Sequence, residues 1–267
     1  VRAMVVSNPG NPTGQILSVE GMAAIIRFCV EERIVLLADE VYQENIWNVN
    51  KKFVSFKKVA YDTGYGEDDS ATPLQLVSFH STSKGFIGEC GLRGGYFELH
   101  GIDASVAAQL YKLASITLCS NTVGQVLTGL MVKPPADSSP SYAQYMREKN
   151  AILSSLQRRA NRLTDKLNSM EAVSCQPIEG ALYAFPSIVL PQKAVDAAAA
   201  VGQSPDTFYC LQALEQTGIV IVPGAGFKQK EGTLHFRTTF LPPEDEMESA
   251  TDRLADFHRE FFAKYSD

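Results

Sequence analysis

Apolar runs of strand length and one helical repeat make up the first part of the chain. The continuous apolar run at residues 34–38 predicts a strand buried on both faces, as in a parallel sheet. The pattern also predicts a short buried strand at 3–7 and a further strand at 74–79. Residues 18–32 carry apolar side chains at helical spacing, and Ser18 stands where a helix N-cap is expected. A strand, a helix and a second strand in this order predict a βαβ unit.

A proline-rich segment, KPPADSSPS at residues 133–141, divides the chain. Before it, the pattern predicts a polar loop at 61–73, a strand at 95–99, and helices at 104–118 and 122–132. After it, the predicted elements are a long helix at 142–169, strands at 173–175, 182–185, 219–222 and 234–239, and helices at 206–216 and 244–264. We therefore expect an α/β domain with a mostly parallel sheet over residues 1–140, and a smaller α+β domain, including the long interdomain helix, over 141–267.

The composition is that of an ordinary globular protein and argues against several classes of function. Of the 267 residues, 45% are hydrophobic and 20% are charged, and the net charge of -6 argues against a nucleic-acid-binding surface. No apolar run approaches the roughly 18 residues that a membrane-spanning helix needs. The cysteines and histidines stand at spacings that match no metal site, so we expect no metal and reduced thiols in an intracellular protein.

The start of the chain, VRAMVVSNPG, has no Met and enters an apolar strand almost at once. We expect from this that the sequence is a fragment whose N-terminal part is missing. Any targeting peptide would be missing with it, so the choice between cytoplasm and mitochondria stays open.

Polar side chains follow the ends of three consecutive predicted strands. Asn11 lies in the loop NPGNPTG after the first strand, Asp39 follows the second directly, and Lys84 follows the third. Taken singly, each has an ordinary interpretation, as a turn residue, a helix cap and a solvated loop lysine. Because ligands of open α/β sheets bind at the carboxyl ends of the strands, the three together favour a ligand site.

The chemistry of the segment SFHSTSKGFIGECGLRGGY, at residues 78–96, indicates which ligand that is. A lysine amine forms a Schiff base with an aldehyde, and a buried carboxylate such as Asp39 holds a pyridine nitrogen protonated. Ser81, Ser83 and Arg93 offer hydroxyls and a guanidinium to a phosphate, and the glycines let the backbone pass close to it. These residues predict a phosphorylated pyridine aldehyde, pyridoxal 5'-phosphate.

The segments SNPGNPTG, ADEVY and STSKGFIGECGLRGGY resemble those of the class I and II pyridoxal-phosphate aminotransferases of fold type I, in the same order and at similar spacing. More narrowly, LCSNTVGQ, GALYAFPSIVLP, FYCLQALEQTGIVIVPGAGF and GTLHFRTTFLPP resemble the alanine aminotransferase branch. The resemblance covers essentially the whole chain. It implies that residues 1–140 are the C-terminal part of the large cofactor-binding domain of that fold.

The resemblance implies a catalytic or cofactor-binding role for each matching residue in the first half. Lys84 forms the Schiff base and moves the catalytic proton, and Asp39 pairs with the pyridine nitrogen. Asn11 and Tyr42 hydrogen-bond the phenolic oxygen of the ring, although Tyr42 has an alternative interpretation as a packing residue.

The resemblance also implies how phosphate and substrate are bound. Ser81 and Arg93 bind the phosphate, and Ser83 assists them. Arg93 lies nine positions after Lys84, one more than the commoner class I spacing, as in the alanine branch. Arg237, in the strand pattern LHFRTTF, clamps the substrate α-carboxylate together with Asn11.

The resulting functional hypothesis is transamination between L-alanine and 2-oxoglutarate, giving pyruvate and L-glutamate, by a protein that is a homodimer when complete. Two alternatives stay open. The same residues serve other aminotransferases and some lyases of this fold. A truncated, non-catalytic paralogue that binds the cofactor or dimerises would also carry them.

Overall fold

The computed structural model describes residues 1–66 and 74–266, which fall into two compact units. The first unit consists of Val1–Gly10 and Gln15–Ala151, and the second of Asn11–Gly14 and Ile152–Asp267. The assignment of residues 1–140 and 141–267 to a large and a small domain stays a prediction. Of the polar loop predicted at 61–73, residues 67–73 lie outside the described part of the chain.

A four-stranded sheet forms the centre of the first unit. Its elements, with the long helix that leads out of it, are β1 (Ala3–Ser7), α1 (Val19–Glu31), β2 (Val35–Asp39), α2 (Phe56–Asp62), β3 (Leu76–Ser81), β4 (Gly95–His100), α3 (Ala104–Ser115), α4 (Thr122–Val132) and α5 (Tyr142–Asn168). The strand order is β1-β2-β3-β4, with β1, β2 and β3 parallel and β4 antiparallel to β3. The predicted mostly parallel α/β sheet is therefore confirmed.

The register of the sheet brings the carboxyl ends of its parallel strands side by side. Ser7, the last residue of β1, pairs with Asp39, the last residue of β2. Asp39 in turn pairs with Phe79 near the end of β3. Asp39, at the end of β2, and the segment with Lys84, which follows β3, therefore lie at the same edge of the sheet.

Helix α1 covers one face of the sheet, as its apolar spacing predicts. Ile26 and Met22 are buried in one core with Leu36 of β2 and Phe56 of α2. Burying side chains of this size contributes about 1.5–3 kcal/mol each. The predicted N-cap is confirmed, because the Ser18 hydroxyl accepts the Gly21 N–H.

The second unit holds the C-terminal part of α5 and a small antiparallel sheet. Its other elements are β5 (Val173–Ser174), β6 (Tyr183–Ala184), β7 (Ser187–Ile188), α6 (Gln192–Ala200), α7 (Pro205–Thr217), β8 (Val222–Pro223), β9 (Leu234–Thr239) and α8 (Glu244–Tyr265). Among the described residues the strand order is β5-β7-β9-β6, and β8 also pairs with β9. This mixture of short strands and helices agrees with the predicted α+β character.

An aromatic core between α7, β9 and α8 contains one buried hydrogen-bonded pair. The Tyr209 hydroxyl lies 3.0 Å from Nδ1 of His258, whose Nε2 lies 2.8 Å from the carbonyl oxygen of Glu171. Since a carbonyl only accepts, Nε2 carries the proton and Nδ1 accepts from Tyr209. Burial lowers the pKa of His258, which keeps the imidazole neutral.

The structure departs from the predicted elements in four places. Helices α2 and α6 and strand β7 were not predicted, and Tyr61 and Asp62 of the expected loop belong to α2. The strand predicted at 219–222 is wrong for most of its length, because β8 begins at Val222. In that segment the Ile219 N–H bonds to the Thr217 hydroxyl at the end of α7 rather than to a neighbouring strand.

None of the helices in the described residues is both long enough and apolar enough to cross a membrane.

Candidate active-site residues

The turn that carries Lys84 is fixed by a threonine that the sequence reasoning did not select. Thr82 is fully buried, and its N–H and hydroxyl both donate to the carbonyl oxygen of Gly94, at 3.1 and 3.2 Å. Its own carbonyl accepts the Glu89 N–H at 3.0 Å. Nothing in the sequence distinguishes Thr82 from the neighbouring hydroxyl residues Ser81 and Ser83. These bonds close the loop between Thr82 and Gly94, and Lys84 lies two residues after the start of that loop.

The three predicted phosphate ligands, Ser81, Ser83 and Arg93, lie close together beside this turn. Nη1 of Arg93 lies 3.5 Å from the Ser83 hydroxyl, and the Ser83 N–H donates to the Ser81 hydroxyl at 3.3 Å. Arg93 is exposed, and its Nη1 also donates to the carbonyl oxygen of Cys90 at 3.0 Å. The cluster offers a guanidinium fork and two hydroxyls at one place, a donor set that fits a phosphate.

Helix α4 supports the backbone of Arg93 through closely packed glycines. A Cβ on Gly124 would stand 2.5 Å from the Arg93 carbonyl oxygen, and one on Gly94 would stand 2.5 Å from the Gly124 carbonyl oxygen. Asn121, which caps α4, donates from Nδ2 to the Leu92 carbonyl oxygen at 2.7 Å. The position of the arginine backbone therefore depends on contacts that only glycine permits.

Asp39 and Glu40 end β2 in different environments. Asp39 is half-buried, and its Oδ1 lies 3.4 Å from the Val41 nitrogen in a turn, so it does not cap a helix there. Glu40 is buried, and its Oε1 accepts the Phe56 N–H at 2.7 Å. Burial above all, with the charges of Asp39 and Glu98, raises the pKa of Glu40 to about 7. The sequence reasoning did not select Glu40.

Lys84 lines a cavity of about 240 Å³ in the first unit. The other residues that line it are Gln43, Glu44, His80, Gly85, Phe86, Ile87, Tyr96, Met131 and Val132. Burial lowers the pKa of His80 against the opposing charges of Glu44 and Asp39. Among the described atoms, Nδ1 of His80 is buried without a hydrogen-bond partner. The cavity gives the Lys84 amine a partly enclosed space.

Tyr42, the remaining candidate of the first unit, lies in the turn after β2 and is 2% exposed. Its burial agrees with the packing interpretation. The contact of its hydroxyl with a cofactor stays a prediction.

The two residues predicted to bind the substrate carboxylate meet in the second unit. Nη1 of Arg237 donates to Oδ1 of Asn11 at 3.0 Å. The guanidinium carbon lies 4.7 Å from the centre of the Tyr183 ring and 5.2 Å from that of Phe227, a cation–π arrangement. In the part of the chain that the structure describes, Nε of Arg237 is buried without a partner. The guanidinium is thus only partly satisfied by hydrogen bonds within the described residues.

Asn11 is held in this unit by the segment that follows it. The Gly14 carbonyl oxygen accepts the N–H groups of Glu179 and Gly180, at 3.0 and 2.8 Å. Gly14 has a φ of +67°, and a Cβ there would stand 2.8 Å from the Tyr183 carbonyl oxygen. The glycine of the NPTG motif is therefore required both by its conformation and by this close approach.

The comparisons with known proteins agree with the sequence patterns. The sequence profile of the family "Aminotransferase class I and II" matches residues 1–254. The chain is 55% identical to "Probable alanine aminotransferase, mitochondrial" of Dictyostelium discoideum, over 99% of this chain and 49% of that protein. It is 52% identical to "Glutamate--glyoxylate aminotransferase 2" of Arabidopsis thaliana, over 100% of this chain and 55% of that protein.

A solved structure resembles the whole fold. The alanine aminotransferase of Pyrococcus furiosus aligns with a TM-score of 0.77 and 25% identity, covering 97% of this chain and 58% of that one. The chain thus spans about half the length of the curated relatives it matches.

Proposed function

The chain belongs to the class I and II aminotransferase family, and from this we propose that the protein carrying it transfers the amino group of L-alanine to 2-oxoglutarate, giving pyruvate and L-glutamate. The observation that carries the proposal is the cluster of Ser81, Ser83 and Arg93 beside Lys84 at the end of the parallel strands. The cluster places hydrogen-bond donors for a phosphate close in sequence to an amine, at the end of the sheet where α/β proteins bind ligands. The name of the Dictyostelium relative supports alanine as the donor.

We further propose that the cofactor is pyridoxal 5'-phosphate. When bound, it supplies an aldehyde that forms a Schiff base with an amine and a pyridine ring that withdraws electrons from the substrate. Ser81, Ser83 and Arg93 would hold its phosphate, Asp39 its ring nitrogen, and Asn11 and Tyr42 its phenolic oxygen. The exposed guanidinium of Arg93, next to the two serines, supports this assignment.

The remaining roles follow from the chemistry of the side chains. Lys84 removes the proton from the substrate Cα as a general base and later returns one as a general acid. Arg237 binds the substrate α-carboxylate through its planar guanidinium group, while Asn11 fixes the orientation of that group. Holding the substrate in one orientation is itself a large part of the rate acceleration.

A second candidate function is transfer of the amino group from glutamate to glyoxylate. The 52% identity to the Arabidopsis protein of that name favours it. It uses the same donors for the phosphate and the α-carboxylate, and differs only in the side chain of the substrates.

The proposal is tested on the full-length protein, loaded with pyridoxal phosphate. We expect pyruvate from L-alanine with 2-oxoglutarate, at a kcat within the ordinary range of about 1–1,000 per second. Glyoxylate in place of 2-oxoglutarate, with glutamate as donor, separates the second candidate. Borohydride reduction and peptide mapping should place a pyridoxyl group on Lys84, and Lys84→Ala should abolish turnover, whereas the exposed Lys112→Ala should retain both. A label on another lysine, or no transfer with any of these pairs, contradicts the proposal.

We also propose a homodimer, as the resemblance implies. Its mass in solution tests this. The mitochondrial label in the name of the Dictyostelium relative supports a mitochondrial location over a cytoplasmic one, and fluorescence microscopy of the tagged full-length protein tests it.

A further inference from the structure

Asp206, at the start of α7 in the second unit, is a buried carboxylate that the proposed function does not use. It is 3% exposed. Its Oδ1 accepts the Ser204 hydroxyl at 2.6 Å and the Thr207 N–H at 2.9 Å, both within its own helix start. Its Oδ2 accepts the Ala225 N–H at 2.6 Å, nineteen positions along the chain. Oδ1 therefore accepts hydrogen bonds at the start of α7, and Oδ2 accepts one from a separate loop.

That loop, a 3₁₀ turn at Gly224–Phe227, lies directly against the strand that carries Arg237. Just before it, Val222 pairs with Arg237 across the β8–β9 ladder. A Cβ on Gly224 would stand 2.7 Å from both the Cβ and the carbonyl oxygen of His235, so the turn is packed against β9. With so little space, a shift of the turn changes its contacts with β9.

The last residue of the turn contacts the guanidinium itself. The centre of the Phe227 ring lies 5.2 Å from the Arg237 guanidinium carbon. Phe227 also packs edge-on against Phe185, at 5.4 Å, and Phe185 stacks on His235 at 4.9 Å. Asp206, the turn, Phe227 and Arg237 thus form a continuous series of contacts.

We propose that Asp206 is a positioning residue for the carboxylate site: by binding the Ala225 N–H it holds Phe227 against Arg237 and so sets the direction of the guanidinium. The inference rests on the proposed function, in which Arg237 binds the α-carboxylate. An ionised carboxylate makes a stronger bond to an N–H than a neutral acceptor does, which suits it to fix a short turn. Small displacements of a binding group cost much of the gain from orientation.

The test compares steady-state kinetics of variants in the full-length holoenzyme. Asp206→Ala removes the bond to the turn, and we expect the KM for both carboxylate substrates to rise about tenfold, with a smaller change in kcat, since displacement by about 1 Å can cost up to a hundredfold. Phe227→Leu, which leaves Asp206 intact but removes the ring face, should raise both KM values in the same way. The absorption spectrum of the bound cofactor should stay unchanged in both.

Two controls separate positioning from a general loss of stability. Ser204→Ala removes a bond to the other oxygen of Asp206 but leaves the Ala225 bond, and should leave both KM values unchanged. His258→Gln disturbs the buried Tyr209 pair in the same unit and should lower the melting temperature without changing KM.

The possible outcomes distinguish the two ideas. If Arg237→Lys leaves both KM values unchanged, the proposed role of Arg237 fails and the inference with it. If Arg237→Lys raises them but Asp206→Ala and Phe227→Leu do not, the inference alone is overturned. Should Asp206→Ala fail to fold, Phe227→Leu decides. If His258→Gln raises both KM values as much as Asp206→Ala or Phe227→Leu does, the effect is a general loss of stability, and the inference is overturned.

Discussion

Arg237 donates a hydrogen bond from Nη1 to Oδ1 of Asn11 at 3.0 Å, although 226 positions separate the two residues. The NPTG loop follows the first strand of the parallel sheet, yet Asn11 belongs to the second unit together with Arg237. An amide acceptor on one guanidinium nitrogen leaves the others to a bound carboxylate and fixes the plane in which they point. If Arg237 binds the substrate carboxylate as proposed, the motif contributes to that binding through Asn11.

Replacement of Arg237 by lysine tests this assignment. Arg237→Lys keeps the positive charge but loses the planar fork, so we expect the KM for alanine and for 2-oxoglutarate to rise together, by about tenfold or more for a lost charge-assisted bond. The matched control is Arg253→Lys on α8, whose guanidinium donates to the carbonyl oxygen of Thr217. A large effect on only one of the two substrates would assign Arg237 to recognition of a side chain instead.

For Asp39, the prediction concerns the chemical step rather than binding. Asp39→Asn removes the negative charge that would hold the pyridine nitrogen protonated, so we expect kcat to fall by at least about a hundredfold, as when other electrostatic groups of active sites are removed. Asp39→Glu keeps the charge and should cost less. Single-turnover measurements on the holoenzyme separate this step from product release. Near-normal rates for Asp39→Asn would leave Asp39 as a turn residue only.

Glu40 should make the stability of the first unit fall as the pH rises. Burial raises its pKa from the ordinary 4.5 to about 7, so the unfolded chain loses this proton at lower pH than the folded protein does. The contribution of Glu40 is therefore fully present below about pH 4.5 and is lost between there and about pH 7. The loss amounts to roughly 3 kcal/mol at most.

Glu40→Gln should remove this loss, because the amide stays neutral and its oxygen still accepts the Phe56 N–H. We expect the variant to have the higher free energy of unfolding at pH values above about 7. Trp47, the single tryptophan of these 267 residues, is buried in the first unit, so its fluorescence during urea unfolding of the 267-residue chain reports on that unit. Glu20→Gln on the exposed start of α1 is the control. Equal pH dependence in wild type and Glu40→Gln would contradict the assignment.

The sequence predicted best what depends on local pattern. The apolar runs at residues 3–7, 34–38 and 74–79 do overlap β1, β2 and β3, so the ends of these strands, and with them Asp39 and Lys84, could be located from the sequence. The predicted burial of the first strand is wrong, because Val5 of β1 is 69% exposed. Thr82, Glu40 and Asp206 were missed because each acts on a backbone group 12, 16 and 19 positions away, respectively. A buried polar residue looks like any polar residue in a sequence, since only the folded chain shows which backbone group it pairs with.

The same limit applies to glycine, and it leads to a prediction for α4. Gly124 and Gly129 stand in one helix, where alanine is intrinsically better than glycine by about 0.8–1.0 kcal/mol. Gly129 has open space around its Cβ position, so Gly129→Ala should be stabilising or neutral. At Gly124 the new methyl group would stand 2.5 Å from the Arg93 carbonyl oxygen, closer than any real contact.

Gly124→Ala must therefore displace α4 or the backbone of Arg93, and overpacking of this kind costs about 1–3 kcal/mol. Because Arg93 would bind the cofactor phosphate, we expect weaker binding of pyridoxal phosphate as well as a lower melting temperature, measured by absorbance titration and thermal unfolding of the full-length protein. Gly129→Ala, the same substitution one and a half turns further along the helix, should leave the dissociation constant unchanged. If Gly124→Ala lowers stability but binds the cofactor as tightly as the wild type does, the packing of α4 does not position Arg93 for the phosphate.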